Sequence, residues 1–432
     1  MAASFPFLTS YDPSGNSEGT LDPLGLYQIA DQLAVQLVPG VRERMQRIRF
    51  LTAMAVGALV TEGLEDNPDV RDASPYLVWE WLVVEALMRT KGDDPGLWGI
   101  PGTLVARRAL NQHGYLDARS YLKTSRIFGF HGVYKRLAIR LRVLDVHLAA
   151  GPNTERLVDA WARSIGFQRF NDVKPLLSTW RAEVRRCLNE RPPRTRPNWA
   201  NKGWGNLAEA FAPYRCRGQE RRYLLNLLLD QNDQQLGALP ALWQILSGSN
   251  GDDLPEETLH DLLEEREPAY TPLLDSIRSY EAFARALQDA FDLLRAEATT
   301  LDARGFEITS IANNSNFIAC VKDLHRLFVN AHQALAEVSI TNLSLQSLFD
   351  TRFEAFAEPL DPDACALALC THHQKIQDAK SATGKRAWFD RLGENRIHIR
   401  QAYGLQKCEI QPDRYVHDYR GRPIRNFYND LT

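Results

Sequence analysis

The sequence predicts a mainly α-helical protein with several domains, and three observations support this fold class. Apolar residues recur at helical spacing in many segments, for example in residues 22–37. The composition, 44% hydrophobic and 24% charged, is typical of globular domains. The chain has 432 residues, which is long enough for roughly two to four domains with separate cores.

Residues 1–100 are predicted to form an N-terminal helical domain. Its three expected helices lie at 22–37, 41–60 and 74–90. Asp22 is a candidate N-cap for the first helix, and Pro23 suits the first helical position. The longest apolar run, at 50–60, has eleven residues. Because eleven residues cannot cross a bilayer, we expect a buried helix and no membrane partner.

The rest of the chain is predicted to divide into four segments. They are a basic module (101–190), a linker (191–204), an acidic helical domain (205–377) and a small basic α/β element (378–432). The linker is assigned because clustered prolines favour extended chain. Two narrow apolar stripes in the acidic domain predict a long antiparallel helical hairpin over 271–338.

The charge of the chain is distributed unevenly. The net charge is −3, yet residues 101–200 carry 19 Lys and Arg against 7 Asp and Glu. Residues 201–370 carry 13 against 26. The basic segments must therefore pair with the acidic segments of the same chain or meet an external anion.

No reaction chemistry can be assigned from sequence motifs, so we expect no catalytic residue, no cofactor and no metal. Residues 379–386 resemble a phosphate-binding loop, but Ala379 stands where its first Gly belongs, and Arg386 replaces the Ser or Thr. The six cysteines are irregularly spaced, which is typical of reduced thiols. The start of the chain has no secretory signal pattern, so we expect a cytoplasmic protein.

Residues 101–166 hold the strongest functional pattern. Two predicted helices precede a turn at Gly129 and Gly132, and a third helix and a short β element follow. The third helix is expected to bury four apolar residues and to carry cations on its other faces. The buried residues are Val133, Leu137, Leu141 and Leu144.

This order of elements resembles the winged helix-turn-helix superfamily, although a second wing strand is not evident. The resemblance implies that the third helix lies in the major groove of DNA. Ser125 and Arg126 would precede the turn. His131, Tyr134 and Lys135 would lie at the leading end, and Arg136 and Arg140 would face phosphates. Arg142 is a further candidate contact.

The C-terminal element is the second candidate binding region. Its cations include Lys385, Arg386, Arg391, Arg396 and Arg400, and they alternate with aromatic residues such as Trp388, Phe389, Tyr403 and Tyr415. This mixture suits single-stranded nucleic acid and equally suits a protein interface. Ile397 and Ile399 alternate with polar residues, which predicts a small half-buried β-structure here.

The combined pattern favours a non-enzymatic nucleic-acid-binding component, with duplex DNA as the favoured partner. We also expect a protein partner, namely an enzyme encoded nearby. The sequence resembles uncharacterised bacterial proteins from phage-defence or restriction loci, which implies a role in antiviral defence. One alternative is an interaction scaffold whose charged segments pair with each other or with a partner. A less favoured alternative is a nuclease with a site assembled from distant residues.

Overall fold

The computed structural model describes residues 22–65, 73–91, 99–122, 128–199, 201–230, 236–299, 305–338, 344–380 and 386–432. As predicted, this part of the chain is mainly helical, with seventeen α-helices and one three-stranded sheet. None of its helices combines the length and the apolar character that crossing a membrane requires.

The helices in chain order are α1 Tyr27–Leu37, α2 Phe50–Thr61, α3 Pro75–Lys91, α4 Thr103–His113, α5 Phe130–Arg140, α6 Thr154–Ser164, α7 Phe170–Asn189, α8 Asn201–Phe211, α9 Gly218–Leu229, α10 Leu239–Gly248, α11 Glu256–Arg266, α12 Thr271–Thr299, α13 Ser315–Val321, α14 Leu324–Glu337, α15 Leu345–Phe353, α16 Pro362–Ala379 and α17 Gly421–Leu431. The strands are β1 Phe306–Glu307, β2 Phe389–Arg391 and β3 Arg396–Ile399.

The chain divides into two compact units. The first unit contains residues 22–33 and Glu267–His417, and the second contains Ala34–Arg266 and Asp418–Thr432. This division differs from the segments expected from the sequence, because the main boundary falls near residue 266 and not in the proline-rich stretch. The C-terminal element 378–432 is divided between the two units.

The first unit contains the predicted helical hairpin. Phe283 of α12 packs edge-on against Phe328 of α14, with ring centroids 5.9 Å apart. Nearer the start of α12, the Ser276 hydroxyl donates to the carbonyl oxygen of Ala334 at 2.8 Å. Since later residues of α12 meet earlier residues of α14, the two helices run antiparallel, which confirms the hairpin.

The small sheet also lies in the first unit, with strand order β1-β3-β2 and antiparallel pairing throughout. Ile397 pairs with Phe306, and Ile399 pairs with Phe389. Both isoleucines are buried, while Arg396 and His398 of the same strand are exposed. The predicted alternation is therefore confirmed, although β1 comes from a distant part of the chain.

The second unit is built around a cluster of large aromatic side chains. Trp161 stacks on Phe211 with centroids 5.4 Å apart, and Trp79 meets the same ring edge-on at 5.6 Å. Both of these indole N–H groups are satisfied, since Trp79 donates to the carbonyl of Ala53 at 2.8 Å and Trp161 to that of Ala210 at 3.1 Å. This core explains why α2 is apolar on every side: its residues face neighbours all round.

Residues 191–199, expected to be a linker, are packed within the second unit. The Thr195 N–H donates to the carbonyl of Leu116 at 2.9 Å, and the Leu116 N–H donates back to the Thr195 hydroxyl at 2.8 Å. That hydroxyl also contacts the buried carboxylate of Glu85. Arg194 also forms an isolated antiparallel bridge with Asp117, so this stretch pairs with a second segment, which proline content alone does not reveal.

Candidate nucleic-acid interface

Helix α5, the candidate DNA-facing helix, begins after Gly129. The Gly129 backbone is extended, with φ −74° and ψ 172°. A Cβ atom at this position would clash with the carboxylate of Glu80. A larger residue would have to displace this carboxylate, because the start of α5 lies directly against α3.

Glu80 anchors the start of α5 from the neighbouring helix. Its side chain is fully buried, and its Oε2 accepts the backbone N–H of His131 at 2.9 Å and lies 3.0 Å from His131 Nδ1. A carboxylate at a helix N-terminus complements the helix dipole. The nearby hydroxyl of Tyr121 has a pKa well above its usual value, because of burial first and the Glu80 charge second.

Tyr134 anchors the middle of the same helix. Its hydroxyl accepts the backbone N–H groups of Gln46 and Arg47 at 2.9 and 2.8 Å. Its ring lies 5.7 Å from the ring of Phe50. Burial raises the pKa of the Tyr134 hydroxyl above its usual value, so the group stays neutral and accepts hydrogen bonds.

The structure corrects two of the predicted DNA contacts. His131 and Tyr134, expected at the leading end of the helix, are only 3% and 0% exposed. They lie on the core side with Val133 and Leu137, so they hold the helix and do not face a ligand. The predicted core residues Val133, Leu137, Leu141 and Leu144 are all buried, as expected.

The opposite face of α5 carries the remaining cations. Lys135, Arg136 and Arg140 are exposed, and half-buried Ile139 lies between them. Arg136 and Arg140 are four residues apart and therefore neighbours on the helix surface, and Lys135 adjoins Arg136 on the same exposed side. Neither Lys135 nor Arg136 forms an ion pair with any residue in the described ranges. Arg142, just after the helix, is also exposed.

A short loop follows α5 where a β wing was expected. An isolated antiparallel bridge joins Leu144 to Ala150. Within the loop, Asp145 Oδ1 accepts the N–H groups of His147 and Ala149 at 2.8 and 2.9 Å. Val146 at the tip is 67% exposed. One bridge does not make a two-stranded wing, so the winged helix-turn-helix resemblance stays a prediction.

Part of the acidic segment 252–267 contacts the C-terminal helix α17. Asp253 pairs with Arg425, and Glu256 Oε1 accepts the N–H of Gly421 at 2.8 Å. The pKa of Glu256 is well above its usual value because of burial and the neighbouring Asp418 carboxylate. Two acidic side chains of this segment are therefore bonded to α17 and not to the cations of α5.

Cations of the C-terminal element are paired inside the first unit. Arg400 donates from Nε and Nη2 to Asp390 Oδ1 at 3.3 and 2.8 Å. Arg391 donates from Nη2 to the hydroxyl of Thr371 at 3.0 Å. These side chains hold β2 and its neighbours together, a role that the sequence pattern did not indicate.

The aromatic residues of the element are packed as well. Trp388 lies parallel to Tyr403, with centroids 5.0 Å apart and an angle of 1° between the planes. The guanidinium of Arg295 lies 4.6 Å from the Trp388 ring, and the backbone N–H of Trp388 donates to His373 Nε2 at 2.9 Å. Because Trp388 and Phe389 are both buried, neither ring is available for stacking on bases.

For five of the predicted site residues, contact with nucleic acid stays a prediction. Ser125, Arg126 and Lys385 lie outside the described residues. Arg386 and Arg396 are exposed. Sequence reasoning missed the role of Glu80, although an acidic residue inside the apolar run of α3 was a signal, because a buried carboxylate needs partners.

No three His, Cys, Asp or Glu side chains converge on a possible metal position in the described part of the chain. His372 and His373 instead bond to the backbone carbonyls of Leu24 and Pro23 at 2.8 and 2.9 Å. Burial lowers the pKa of His372 to about 4 and that of His373 to about 3. Comparisons of the whole chain with family models, curated proteins and solved structures give no match.

Proposed function

We propose that the protein binds nucleic acid, with duplex DNA favoured, through the exposed cationic face of α5. The observation that carries this proposal is the division of the helix into two faces. Lys135, Arg136 and Arg140 lie on one face and are exposed, while the other face is buried in the second unit. A helix with one cationic face can enter the major groove and neutralise phosphates.

The anchoring of α5 supports the same proposal. Glu80 fixes the first turn through His131, and Gln46 and Arg47 fix the middle through Tyr134. A helix held in this way presents its cations on a rigid support, so the backbone that carries them does not have to be ordered when they bind phosphates. Arg142 extends the cationic surface beyond the end of the helix.

In this proposal the protein is a non-enzymatic component that acts on DNA beside an enzyme partner. The role in bacterial phage defence belongs to the same proposal and rests on the resemblance of the sequence alone. Antiviral systems need parts that recognise nucleic acid as well as parts that cut or modify it. Binding to DNA is the part of the proposal that the purified chain can test.

The experiment measures fluorescence anisotropy with labelled duplex DNA, single-stranded DNA and duplex RNA of one sequence. We expect the duplex DNA to bind most tightly. If Lys135, Arg136, Arg140 and Arg142 each neutralise one phosphate, the slope of log K against log salt should be about −3 to −4. Absence of binding to every probe at low salt would contradict the proposal and favour the interaction scaffold.

A further inference from the structure

Residues 43–48, which we call the support segment, connect two helices of the second unit that are distant in the sequence. The segment precedes α2, and the backbone N–H groups of Gln46 and Arg47 donate to the Tyr134 hydroxyl of α5 at 2.9 and 2.8 Å. The side chains of the same two residues bond to α17. The support segment therefore links the candidate DNA-binding helix to α17.

Helix α17 contacts the support segment through a stripe of polar side chains. Arg422 Nη2 donates to Glu43 Oε1 at 3.0 Å, and Asn426 Nδ2 donates to Gln46 Oε1 at 2.6 Å. Asp430 lies one turn further along the same helix. Because residues four apart are neighbours on a helix surface, these three side chains form one face of α17 and contact the support segment in chain order.

Asp430 makes the most buried of these contacts. Its Oδ1 accepts from Arg47 Nη1 at 2.6 Å, and its Oδ2 accepts the backbone N–H of Ile48 at 3.2 Å. The Asp430 side chain is only 3% exposed. Since one carboxylate holds both a side chain and the main chain of the segment, it fixes the backbone whose N–H groups bond to Tyr134.

Apolar residues hold α17 in place independently of the polar stripe. Ile424, Phe427 and Leu431 are buried, and the ring of Tyr428 packs edge-on against that of Trp243, with centroids 5.3 Å apart. Burial of apolar surface supplies most of the free energy that docks a helix. A substitution in the polar stripe should therefore leave α17 docked and loosen the support segment alone.

We propose that α17 holds α5 in its binding-competent position through the support segment and thereby sets the affinity of α5 for duplex DNA. This inference rests on the proposed function and assigns Asn426 and Asp430 as positioning residues for it. While both hold the segment, its two N–H groups are fixed against the Tyr134 hydroxyl. When either contact is lost, the middle of α5 is less ordered before binding, and ordering it during binding lowers the affinity.

The test is the affinity of α17 variants for duplex DNA, measured by fluorescence anisotropy well below the melting temperature. Asp430→Asn should weaken binding by about tenfold and Asn426→Ala by about threefold, because each removes a hydrogen bond to the support segment. Arg425→Gln is the matched control, since in the described ranges Arg425 bonds to Asp253 and to the carbonyl of Leu254. It should change the affinity by less than about twofold.

The signs of the charge changes make this comparison sharper. Asp430→Asn removes a negative charge and Arg425→Gln removes a positive one, so general attraction to phosphate favours tighter binding by the first variant and weaker binding by the second. Our proposal predicts the opposite order. In a Tyr134→Phe background, Asp430→Asn should have little further effect, because the bond between the support segment and α5 is already lost.

Hydrogen exchange separates failure of this proposal from failure of the proposed function. Peptides from 130–141 should exchange faster in the Asp430→Asn protein than in the wild type or in the Arg425→Gln protein. Unchanged exchange in these peptides, equal losses of affinity in the two variants, or additive losses with Tyr134→Phe would overturn the proposal. Faster exchange in a protein whose wild type binds no duplex would contradict the proposed function and support the coupling of α17 to α5.

Discussion

The cationic face of α5 and the basic C-terminal element look alike in sequence but differ in the fold. In α5 the charged side chains Lys135 and Arg136 are exposed and have no ion-pair partner in the described ranges. In the C-terminal element Arg400 is bonded to Asp390, and the neighbouring Trp388 is buried. The number of Lys and Arg residues in a segment therefore does not show whether their side chains are available to bind a ligand. What matters is whether carboxylates, hydroxyls and carbonyls of other segments lie within reach.

The two regions also differ in how their buried polar groups titrate. The second unit, which contains α5, buries carboxyl groups, such as those of Glu85 and Glu256, whose pKa values are raised by burial. The C-terminal element is instead assembled around His373, whose pKa is lowered by burial. The two regions should therefore respond differently to substitution and to acid.

The largest expected effect is that of Gly129→Ala at the start of α5. The added methyl group would collide with the buried Glu80 carboxylate, so the anchor of the helix would have to move. We expect a loss of about 2 kcal/mol in the free energy of unfolding, measured by urea denaturation, because the buried carboxylate must shift and its hydrogen bond to the His131 N–H must weaken.

Gly205→Ala in α8 is the control, because a Cβ atom there meets nothing within 4 Å. Alanine in a helix should leave the stability unchanged or raise it slightly. Equal stability of the Gly129→Ala protein and the wild type would mean that α5 is not fixed against α3.

A smaller effect is expected from acid on the C-terminal element. His373 Nδ1 donates to the carbonyl of Pro23, and Nε2 accepts the backbone N–H of Trp388, so the neutral ring uses both nitrogens. Because the pKa is about 4 for His372 and about 3 for His373 in the folded chain, the unfolded chain binds more protons below pH about 6.5. Stability therefore falls as the pH falls. At pH about 5.5 each histidine should cost about 1 kcal/mol.

Hydrogen exchange with mass spectrometry, corrected for intrinsic rates, can locate this effect. Peptides from 362–379 and 386–399 should lose protection between pH 7 and pH 5.5. Peptides from 130–141 should lose less, because raised carboxyl pKa values in the second unit, such as that of Glu85, add stability as the pH falls. Equal loss of exchange protection in both regions would contradict the predicted difference in their response to acid.

The smallest expected effect on stability is the difference between substituting the paired Arg400 and substituting the exposed Arg136. Arg400→Gln removes both hydrogen bonds to Asp390 and should cost about 1 kcal/mol, since the pair is only partly buried. Arg136→Gln should change the stability by less than about 0.5 kcal/mol. Thermal unfolding of the two variants gives the comparison, and the reverse order would show that Arg136 is the structural cation.

The sequence predicts the helices, the hairpin and the core face of α5, because each depends on the spacing of apolar residues along one segment. Val133 and Leu137 were placed correctly for this reason. The sequence does not predict the roles of His131 and Arg400. The role of His131 depends on Glu80 lying close to it in the fold, and that of Arg400 depends on Asp390. The division into units was missed for the same reason, since residues distant in the chain pack together.

The most direct test of the central claim is the affinity for duplex DNA of two charge-reversed proteins. One carries Lys135→Glu, Arg136→Glu and Arg140→Glu on α5. The other carries Arg386→Glu, Arg396→Glu and Lys407→Glu at exposed positions of the first unit, with the same change in net charge. We predict that the α5 reversal weakens binding at least about a hundredfold, that the matched reversal changes it by less than about threefold, and that both proteins keep the melting temperature of the wild type. Unchanged binding of the α5 reversal, or an equal loss in the matched reversal, would contradict the assignment of the DNA-binding face to α5.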